Sequence, residues 1–166
     1  DGGAAAGMSV SPALLDRIMA VMEAAFDPAY GEAWNRRQVA DALSMPSTHT
    51  LVVDCDGMLI GADDASDRTA GGFVLSRHVL DEEELLLIAV APGCRRRGVG
   101  AILIGQLFSA SRKRGVNRIY LEMRRGNPAL FLYRKLGFEP IGERPNYYRM
   151  ANGERIDAIT FGRSLE

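Results

Sequence analysis

Cysteine, histidine and long hydrophobic runs are scarce in this chain of 166 residues, and each scarcity excludes a class of protein. Two cysteines, Cys55 and Cys94, are too few for a disulfide scaffold, and with only His49 and His78 beside them they do not make a zinc cluster. No apolar run approaches the roughly 20 residues that cross a bilayer. We therefore expect no bound metal, no membrane contact and a reducing, cytoplasmic compartment.

Net charge is also lacking, because the formal value is only −1. No overall field draws the protein to nucleic acid, so the basic residues must act locally. A hydrophobic content of 47% and a charged content of 25% are ordinary for a globular protein. The length favours one domain, which we place over residues 11–166. Residues 1–10 are predicted to be a disordered N-terminal extension.

The most informative segment is Arg95-Arg96-Arg97-Gly98-Val99-Gly100. It lies between an apolar run over residues 85–90 and an apolar-periodic segment over residues 99–113, which predicts a strand, a basic turn and a helix. Such a turn directs backbone amides and a helix N-terminus at one point that suits a diphosphate, and its glycines let the backbone approach closely. The phosphate-loop and dinucleotide-binding patterns are both absent. Taken alone, the pattern also fits a solvated basic turn.

Capping residues and periodicity predict a single mixed α/β structure. Ser11-Pro12 predicts the start of a helix that runs to about Ala25, and Asn35 with Gln38 predicts a capping box for a second helix. The other predicted helices cover residues 99–114 and 128–136. The predicted strands cover residues 50–55, 71–80, 84–90, 118–123, 138–149 and 155–163, with a turn at Asp56-Gly57, a strand segment starting at Met58 and a loop over residues 62–70.

A second motif follows downstream: Asn127-Pro128-Ala129, then Leu132-Tyr133, then Leu136-Gly137-Phe138. Together with the arginine-glycine turn it resembles the GNAT superfamily of acetyl-CoA-dependent N-acetyltransferases, over most of the chain from Val52 onward. The resemblance implies an α/β GNAT fold, with a mixed, mostly antiparallel central sheet, a splayed central strand and flanking helices. It also implies acetyl-CoA as co-substrate.

The resemblance further implies how the donor is held. The turn would bind the CoA pyrophosphate through backbone amides, the central strand would pair with pantetheine, and the second motif would lie near the thioester. The donor-binding residues are then Ile88, Ala89, Val90, Arg95, Arg96, Arg97, Gly98, Val99, Gly100, Asn127 and Tyr133. Cys94 lies in the turn, away from the expected thioester, so we expect direct transfer without an acetyl-cysteine.

A narrower resemblance is carried by Leu80-Asp81-Glu82, by residues 121–124 and by the tail over residues 144–158. These look like the RimI-type ribosomal-protein-alanine N-acetyltransferases. The resemblance implies that the acceptor is a protein N-terminal α-amine, namely the N-terminal alanine of a small-subunit ribosomal protein. The chain departs from that group by one residue fewer between Asn127 and Tyr133 and by the longer loop over residues 62–70.

Acceptor-side residues follow from the same resemblance. Glu82, Tyr147 and Tyr148 are expected to contact the substrate, although an acidic turn at Glu82 fits a solvated role equally well. Strand alternation sends one of two neighbouring tyrosines away from any given face, so at most one of the pair is expected to touch the acceptor.

The catalytic candidates are Glu122 as general base, by resemblance, and Tyr133 as the acid that protonates the thiolate. Each has a structural alternative: an outward-facing strand glutamate paired with an arginine, and a half-buried helix tyrosine that packs on the sheet. Two other functions stay open at this point. One is a GNAT enzyme acting on a small-molecule amine or a lysine side chain; the other is a module that senses acetyl-CoA without turnover.

Overall fold

One six-stranded sheet organises the chain in the computed structural model, which describes residues 10–166. Its strands are β1 (Thr48–Val53), β2 (Gly72–Val79), β3 (Glu82–Val90), β4 (Arg118–Arg124), β5 (Glu139–Arg149) and β6 (Arg155–Ser164). Their spatial order is β1-β2-β3-β4-β6-β5, and every neighbouring pair is antiparallel except β3 and β4. The predicted mixed, mostly antiparallel sheet is therefore confirmed.

Within residues 10–166, four helices flank the sheet. They are α1 (Pro12–Ala25), α2 (Arg36–Leu43), α3 (Val99–Lys113) and α4 (Leu130–Lys135), with short 3-10 turns at Pro28–Tyr30 and Pro92–Cys94. The Ser11 hydroxyl accepts a hydrogen bond from the Leu14 amide at 3.4 Å, and Asn35 and Gln38 exchange both bonds of a capping box. Both predicted helix starts are confirmed.

The helices cover two hydrophobic clusters. The helices α1 and α2 pack on one, with Ile18, Met22 and Val39 buried, and α3 packs on the other through Leu103 and Leu107. Fully burying one such side chain contributes about 1.5–3 kcal/mol to stability. Because α3 is fixed through its apolar face, the turn that precedes it is held against the end of β3.

The parallel pair β3–β4 is short, and this opens the sheet. Glu82 to Leu85 pair with Arg118 to Leu121, and no β4 partner follows for residues 86–90 in the described chain. On its other side β3 stays paired with β2 as far as Val90. The splayed central strand is therefore confirmed, and its backbone from residue 86 onward is free on the side that faces β4.

Some boundaries differ from the prediction. The turn predicted over residues 81–83 lies earlier, at Leu80 and Asp81, because β3 already begins at Glu82. The buried Glu83 carboxylate accepts hydrogen bonds from Arg114, at 2.6 and 2.8 Å, and from the Ser76 hydroxyl at 2.5 Å. Met58 begins no strand of its own, and its neighbour Leu59 forms only an isolated bridge.

The last helix also starts later than predicted. It begins at Leu130 instead of Pro128, because the Asn127 side chain accepts a bond from the Ala129 amide at 2.9 Å and forms a turn instead of a helix cap. Of the predicted disordered extension, only Val10 lies within the described residues. Within residues 10–166 the longest helices are too short and too polar to span a membrane.

Candidate active site

A cavity of about 690 Å³ lies where β3 and β4 part. It brings together six of the residues singled out from the sequence: Ile88, Arg95, Glu122, Asn127, Tyr133 and Tyr148. They come from five different parts of the chain, and the splay of the sheet places them around one space. Polar groups that converge on an opening between strands are a usual arrangement of a small-molecule site.

The arginine-glycine turn joins this cavity to the start of α3. Gly98 adopts a left-handed conformation with φ 76° and stands at the helix N-cap, and the first helical bond runs from the Ile102 amide to the Gly98 carbonyl at 3.0 Å. The amides of residues 99–101 precede that bond and have no carbonyl one turn back, so they are free for an anion. The Val99 side chain is buried in the core, so Val99 contributes only its backbone amide to the turn.

Glycine at position 100 keeps the turn close to α4. A Cβ on Gly100 would lie 3.1 Å from the Leu132 side chain, so that side chain would have to move by a few tenths of an ångström to admit a larger residue. Arg95 ties the turn to the rest of the site, because its guanidinium donates to the Val90 carbonyl at 3.3 Å and to the Ala25 carbonyl at 3.2 Å. The positive charge at the cavity wall is thus held in place.

Cys55 and Cys94 form a disulfide across 39 residues of sequence. Cys94 immediately precedes the arginine-glycine turn, and Cys55 lies in the loop after β1. The bond therefore tethers the turn to the far edge of the sheet. The sequence held no signal for this pairing, and the expectation of a reducing compartment had rested on the low number of cysteines.

Glu122 lies in the middle of β4 with its side chain 20% exposed. Its neighbours Leu121 and Met123 point into the core, so alternation turns Glu122 toward the cavity. One carboxylate oxygen, Oε2, lies 3.8 Å from Arg144 Nε, and the other, Oε1, is buried without a hydrogen-bond partner among the described residues. A buried acceptor left open is uncommon in proteins and suits a group that must take up a proton.

Tyr133 projects from α4 into the same cavity and is only 6% exposed. Its ring packs edge-on against Phe138, with 5.6 Å between the ring centres, and Phe138 itself is fully in the core as expected. Burial, and then the negative charge of Glu32, raise the pKa of the Tyr133 phenol above its ordinary value. The phenol therefore carries its proton at every physiological pH.

Of the two neighbouring tyrosines on β5, one reaches the site. Tyr148 lines the cavity, whereas Tyr147 is 50% exposed and packs edge-on against its neighbour. Burial, then the charges of Glu122 and Glu32, raise the pKa of Tyr148 to about 12. This is the division that strand alternation predicts.

Other predicted residues lie apart from the cavity. Glu82 is exposed at the start of β3, opposite Arg118 in the register and on the far side of the point where the strands part. Ala89 and Val90 continue β3 beyond the cavity toward the turn, and Arg96 and Arg97 lie on the turn itself, where Arg97 is 3.7 Å from Asp56. Within residues 10–166, no three side chains of the metal-binding types come together.

Sequence reasoning missed the segment between α1 and α2. Tyr30, Glu32 and Trp34 from this segment line the cavity, as does Arg124 at the end of β4. From the sequence the segment was interpreted only as a helix break at Asp27-Pro28. The available signal was a tyrosine, a glutamate and a tryptophan within residues 30–34, just after the break at Asp27-Pro28.

Comparison with known proteins agrees with this geometry. The profile of the Acetyltransferase (GNAT) family matches residues 16–138. The [ribosomal protein bS18]-alanine N-acetyltransferase of Haemophilus influenzae is 40% identical over 88 residues, which are 53% of this chain and 60% of that protein. The enzyme of the same name from Salmonella typhimurium is 44% identical over 96 residues, 57% of this chain and 64% of that protein. The matched region thus spans less than two thirds of these relatives.

Solved structures extend the likeness to almost the whole chain. The ribosomal-protein-S18-alanine N-acetyltransferase from Escherichia coli superposes with a TM-score of 0.76 and 28% identity, over 95% of this chain and 92% of that one. Ard1 from Thermoplasma volcanium shares the fold with a TM-score of 0.70 at 22% identity, over 94% of each chain.

Proposed function

The chain belongs to the GNAT acetyltransferase family, and from this premise we propose that it transfers the acetyl group of acetyl-CoA to the α-amine of a protein N-terminus. The observation that carries the proposal is the meeting of Glu122 and Tyr133 at the one cavity that also receives the arginine-glycine turn. A donor held along β3 and an acceptor entering beside β5 would meet between these two side chains.

The donor is held mainly by backbone. The free amides at the start of α3 suit the pyrophosphate, and Arg95 adds positive charge at the cavity wall. The unpaired edge of β3 at Ile88 offers amide and carbonyl groups to pantetheine, and an amide there can polarise the thioester carbonyl as in an oxyanion hole. The backbone of Ala89 and Val90, which has no partner in β4, leads from this point to the turn.

The reaction needs one proton removed and one supplied. The acceptor nitrogen attacks the thioester carbonyl, and its proton passes to Glu122 directly or through one water. The carbon–sulfur bond then breaks, and the leaving thiolate takes the proton of the Tyr133 phenol. An α-amine with a pKa near 8 is neutral for about a tenth of the time at pH 7, whereas a lysine is neutral far more rarely, so this modest base suits an α-amine.

We also propose the acceptor from the relatives. The curated relatives and the Escherichia coli structure are named for acetylating the alanine of ribosomal protein S18. The half-buried Tyr148 and the exposed Tyr147 flank the entrance where a peptide would lie. An N-terminal alanine of a small-subunit ribosomal protein is therefore the proposed acceptor, and a cytoplasmic site of action remains a prediction.

The test uses one peptide that begins with alanine and contains an internal lysine. The protein is incubated with labelled acetyl-CoA and the peptide, and the product is sequenced by mass spectrometry. Label on the α-amine alone is expected, and a peptide whose N-terminus is already blocked should stay unlabelled. Label on the lysine would show an ε-amine enzyme, and donor binding without transfer to any amine would show a sensing module.

A further inference from the structure

The segment between α1 and α2, residues 27–35, covers one side of the cavity but has little regular structure of its own. It contains one 3-10 turn, at Pro28–Tyr30, which the Asp27 side chain caps. A segment of this kind keeps a fixed position only if the rest of the protein holds it. Two of the contacts that do so are made by Arg124, the last residue of β4.

Arg124 holds the segment through two different side chains. Its Nε donates to Glu32 Oε1 at 2.8 Å, and its guanidinium lies 3.6 Å above the centre of the Tyr30 ring. The Arg124 side chain is 12% exposed and that of Glu32 is 24% exposed, so the pair is largely shielded from water. Under such conditions both a charge-assisted hydrogen bond and a cation–π contact are stronger than at the surface.

A third contact joins the segment to the other wall of the acceptor entrance. The Ala151 amide, at the tip of the β5–β6 hairpin, donates to the Ala29 carbonyl at 3.2 Å. The hairpin also carries Tyr148, so the segment and Tyr148 lie on adjoining sides of the cavity. The position of the segment therefore sets the shape of the space that an acceptor must enter.

The same contacts give different hydrogen-bond partners to two carboxylates that face one cavity. Glu32 and Glu122 both line it, and the charge of each raises the pKa of Tyr148. Arg124 occupies an oxygen of Glu32, whereas Glu122 keeps a buried oxygen without a partner among the described residues. The Glu32 carboxylate therefore serves to hold the segment, whereas the Glu122 carboxylate can still accept a proton or hydrogen bond from the reacting groups.

We propose that Arg124 is a positioning residue that determines acceptor affinity: through Glu32 and Tyr30 it fixes the α1–α2 segment over the acceptor end of the cavity. The inference rests on the proposed function, since it assumes that an amine acceptor enters here. The donor side is held by other contacts, from Arg95 to Val90 and Ala25. Loss of Arg124 should accordingly raise KM for the acceptor and leave donor binding nearly unchanged.

The experiment measures kcat and KM for the alanine peptide, together with Kd for acetyl-CoA by calorimetry, in a set of variants. Removing a charge-assisted contact should raise the acceptor KM of Arg124→Gln about tenfold, with Kd for acetyl-CoA changed by less than about twofold. Arg124→Lys retains a cation and should recover part of the loss. Tyr30→Leu removes the ring and should raise the acceptor KM as Arg124→Gln does. Tyr30→Phe keeps the ring and should raise the acceptor KM less.

Coupling and a matched control make the test specific. If Arg124 acts through Glu32, the acceptor KM of the double variant Arg124→Gln/Glu32→Gln should be no higher than that of Arg124→Gln alone. Arg37→Gln removes an arginine whose side chain is 90% exposed on α2, outside the cavity, and should behave as the unmodified protein.

Two results would overturn the inference. One is an unchanged acceptor KM in Arg124→Gln and Tyr30→Leu, and the other is an equal loss of donor and acceptor affinity in both variants. The two proposals fail separately, because absence of amine acetylation by the unmodified protein would instead contradict the proposed function. If Arg124→Gln does not fold, the loop variants Tyr30→Leu and Glu32→Gln decide the question alone.

Discussion

At the residue scale, one substitution separates the two roles proposed for Tyr133, proton donor and packing residue. The ring packs on Phe138 as any core aromatic would, but the residue also lines the cavity that holds Glu122. We expect Tyr133→Phe, which keeps the ring and its packing, to lower kcat about 100-fold while Kd for acetyl-CoA stays the same. Steady-state kinetics and calorimetry on the same preparation measure both. Full activity would make Tyr133 a structural residue.

The pKa of Tyr133 leads to a separate expectation about pH. Burial raises this pKa, so the phenol keeps its proton to higher pH than a free tyrosine, whose pKa is near 10. The kcat/KM for an α-amine should therefore rise as the amine loses its proton around pH 8 and then stay level to about pH 9.5. A fall in rate between pH 8 and 9.5 would show that the acid is another group.

Glu122 can be tested by an isosteric change. Glutamine keeps the size of the side chain and can accept a hydrogen bond but cannot take a proton at these pH values. We expect Glu122→Gln to lower kcat by a factor of about 100 and to change the shape of the pH–rate profile. An identical profile would show that Glu122 is an ordinary strand glutamate paired with Arg144, at the observed 3.8 Å.

Individual site residues were predictable from sequence only where a motif carried them. Glu122, Asn127 and Tyr133 belong to short motifs, and all three line the cavity. Glu32 and Arg124 are 92 residues apart and meet only through the packing of α1 against the sheet. No local pattern encodes such a pair, and so sequence reasoning did not find it.

At the scale of elements, most local signals predicted the right helix or strand, with the Asn127 cap and the strand at Met58 as exceptions, whereas the pairing of distant elements could not be predicted. The caps of α1 and α2 and the left-handed glycines after α3 and α4 lie where the sequence placed them. The splay of β3 from β4 followed from a family resemblance, because periodicity along one strand says nothing about its partner. The parallel pairing of β3 with β4 brings residues from both sides of α3 together.

The disulfide is the element-scale feature with the clearest consequence. It joins the loop after β1 to the turn before α3, and closing a loop of 39 residues should stabilise the fold by about 2–4 kcal/mol. We expect reduction to lower Tm and to weaken acetyl-CoA binding, since the turn would lose one of its anchors. Thermal melts and calorimetry with and without dithiothreitol measure these effects.

The matched control is the double variant Cys55→Ser/Cys94→Ser. It should show the reduced values in either condition and no response to dithiothreitol. If dithiothreitol changed neither the Tm nor the acetyl-CoA affinity of the unmodified protein, the disulfide would contribute nothing to holding the turn.

At the scale of the whole molecule, strands β1 and β2 carry a second titratable cluster, outside the cavity that Glu122 and Tyr133 line. His49 Nε2 and His78 Nδ1 are 2.7 Å apart, so one ring must donate and the other must accept. Burial, followed by the charge of Arg114, lowers the pKa of His49. The folded protein thus binds fewer protons here than the unfolded chain, and stability should fall as pH drops below about 6.5.

Thermal melts between pH 7.5 and 5.5 test this expectation. The Tm of the unmodified protein should fall over that range. The Tm of His49→Gln should fall less, because the titrating ring is gone. Equal slopes for the two proteins would show that other groups account for the acid sensitivity.

At the scale of the whole molecule, the two sides of the cavity are held in different ways. The apolar face of α3 packs in the core and anchors the arginine-glycine turn, whereas the α1–α2 segment is held by Arg124 and the β5–β6 hairpin. The element order could be predicted from sequence. The spatial order, with β6 between β4 and β5, could not, because it depends on long-range pairing.

The central claim is that this arrangement acetylates a protein N-terminus that begins with alanine. It is tested most directly by kcat/KM for a series of peptides that differ only in their first residue, with labelled acetyl-CoA as donor. The account predicts transfer to the α-amine with a sharp preference for alanine or another small first residue. Equal rates for every first residue, or transfer only to lysine or to free amines, would contradict it.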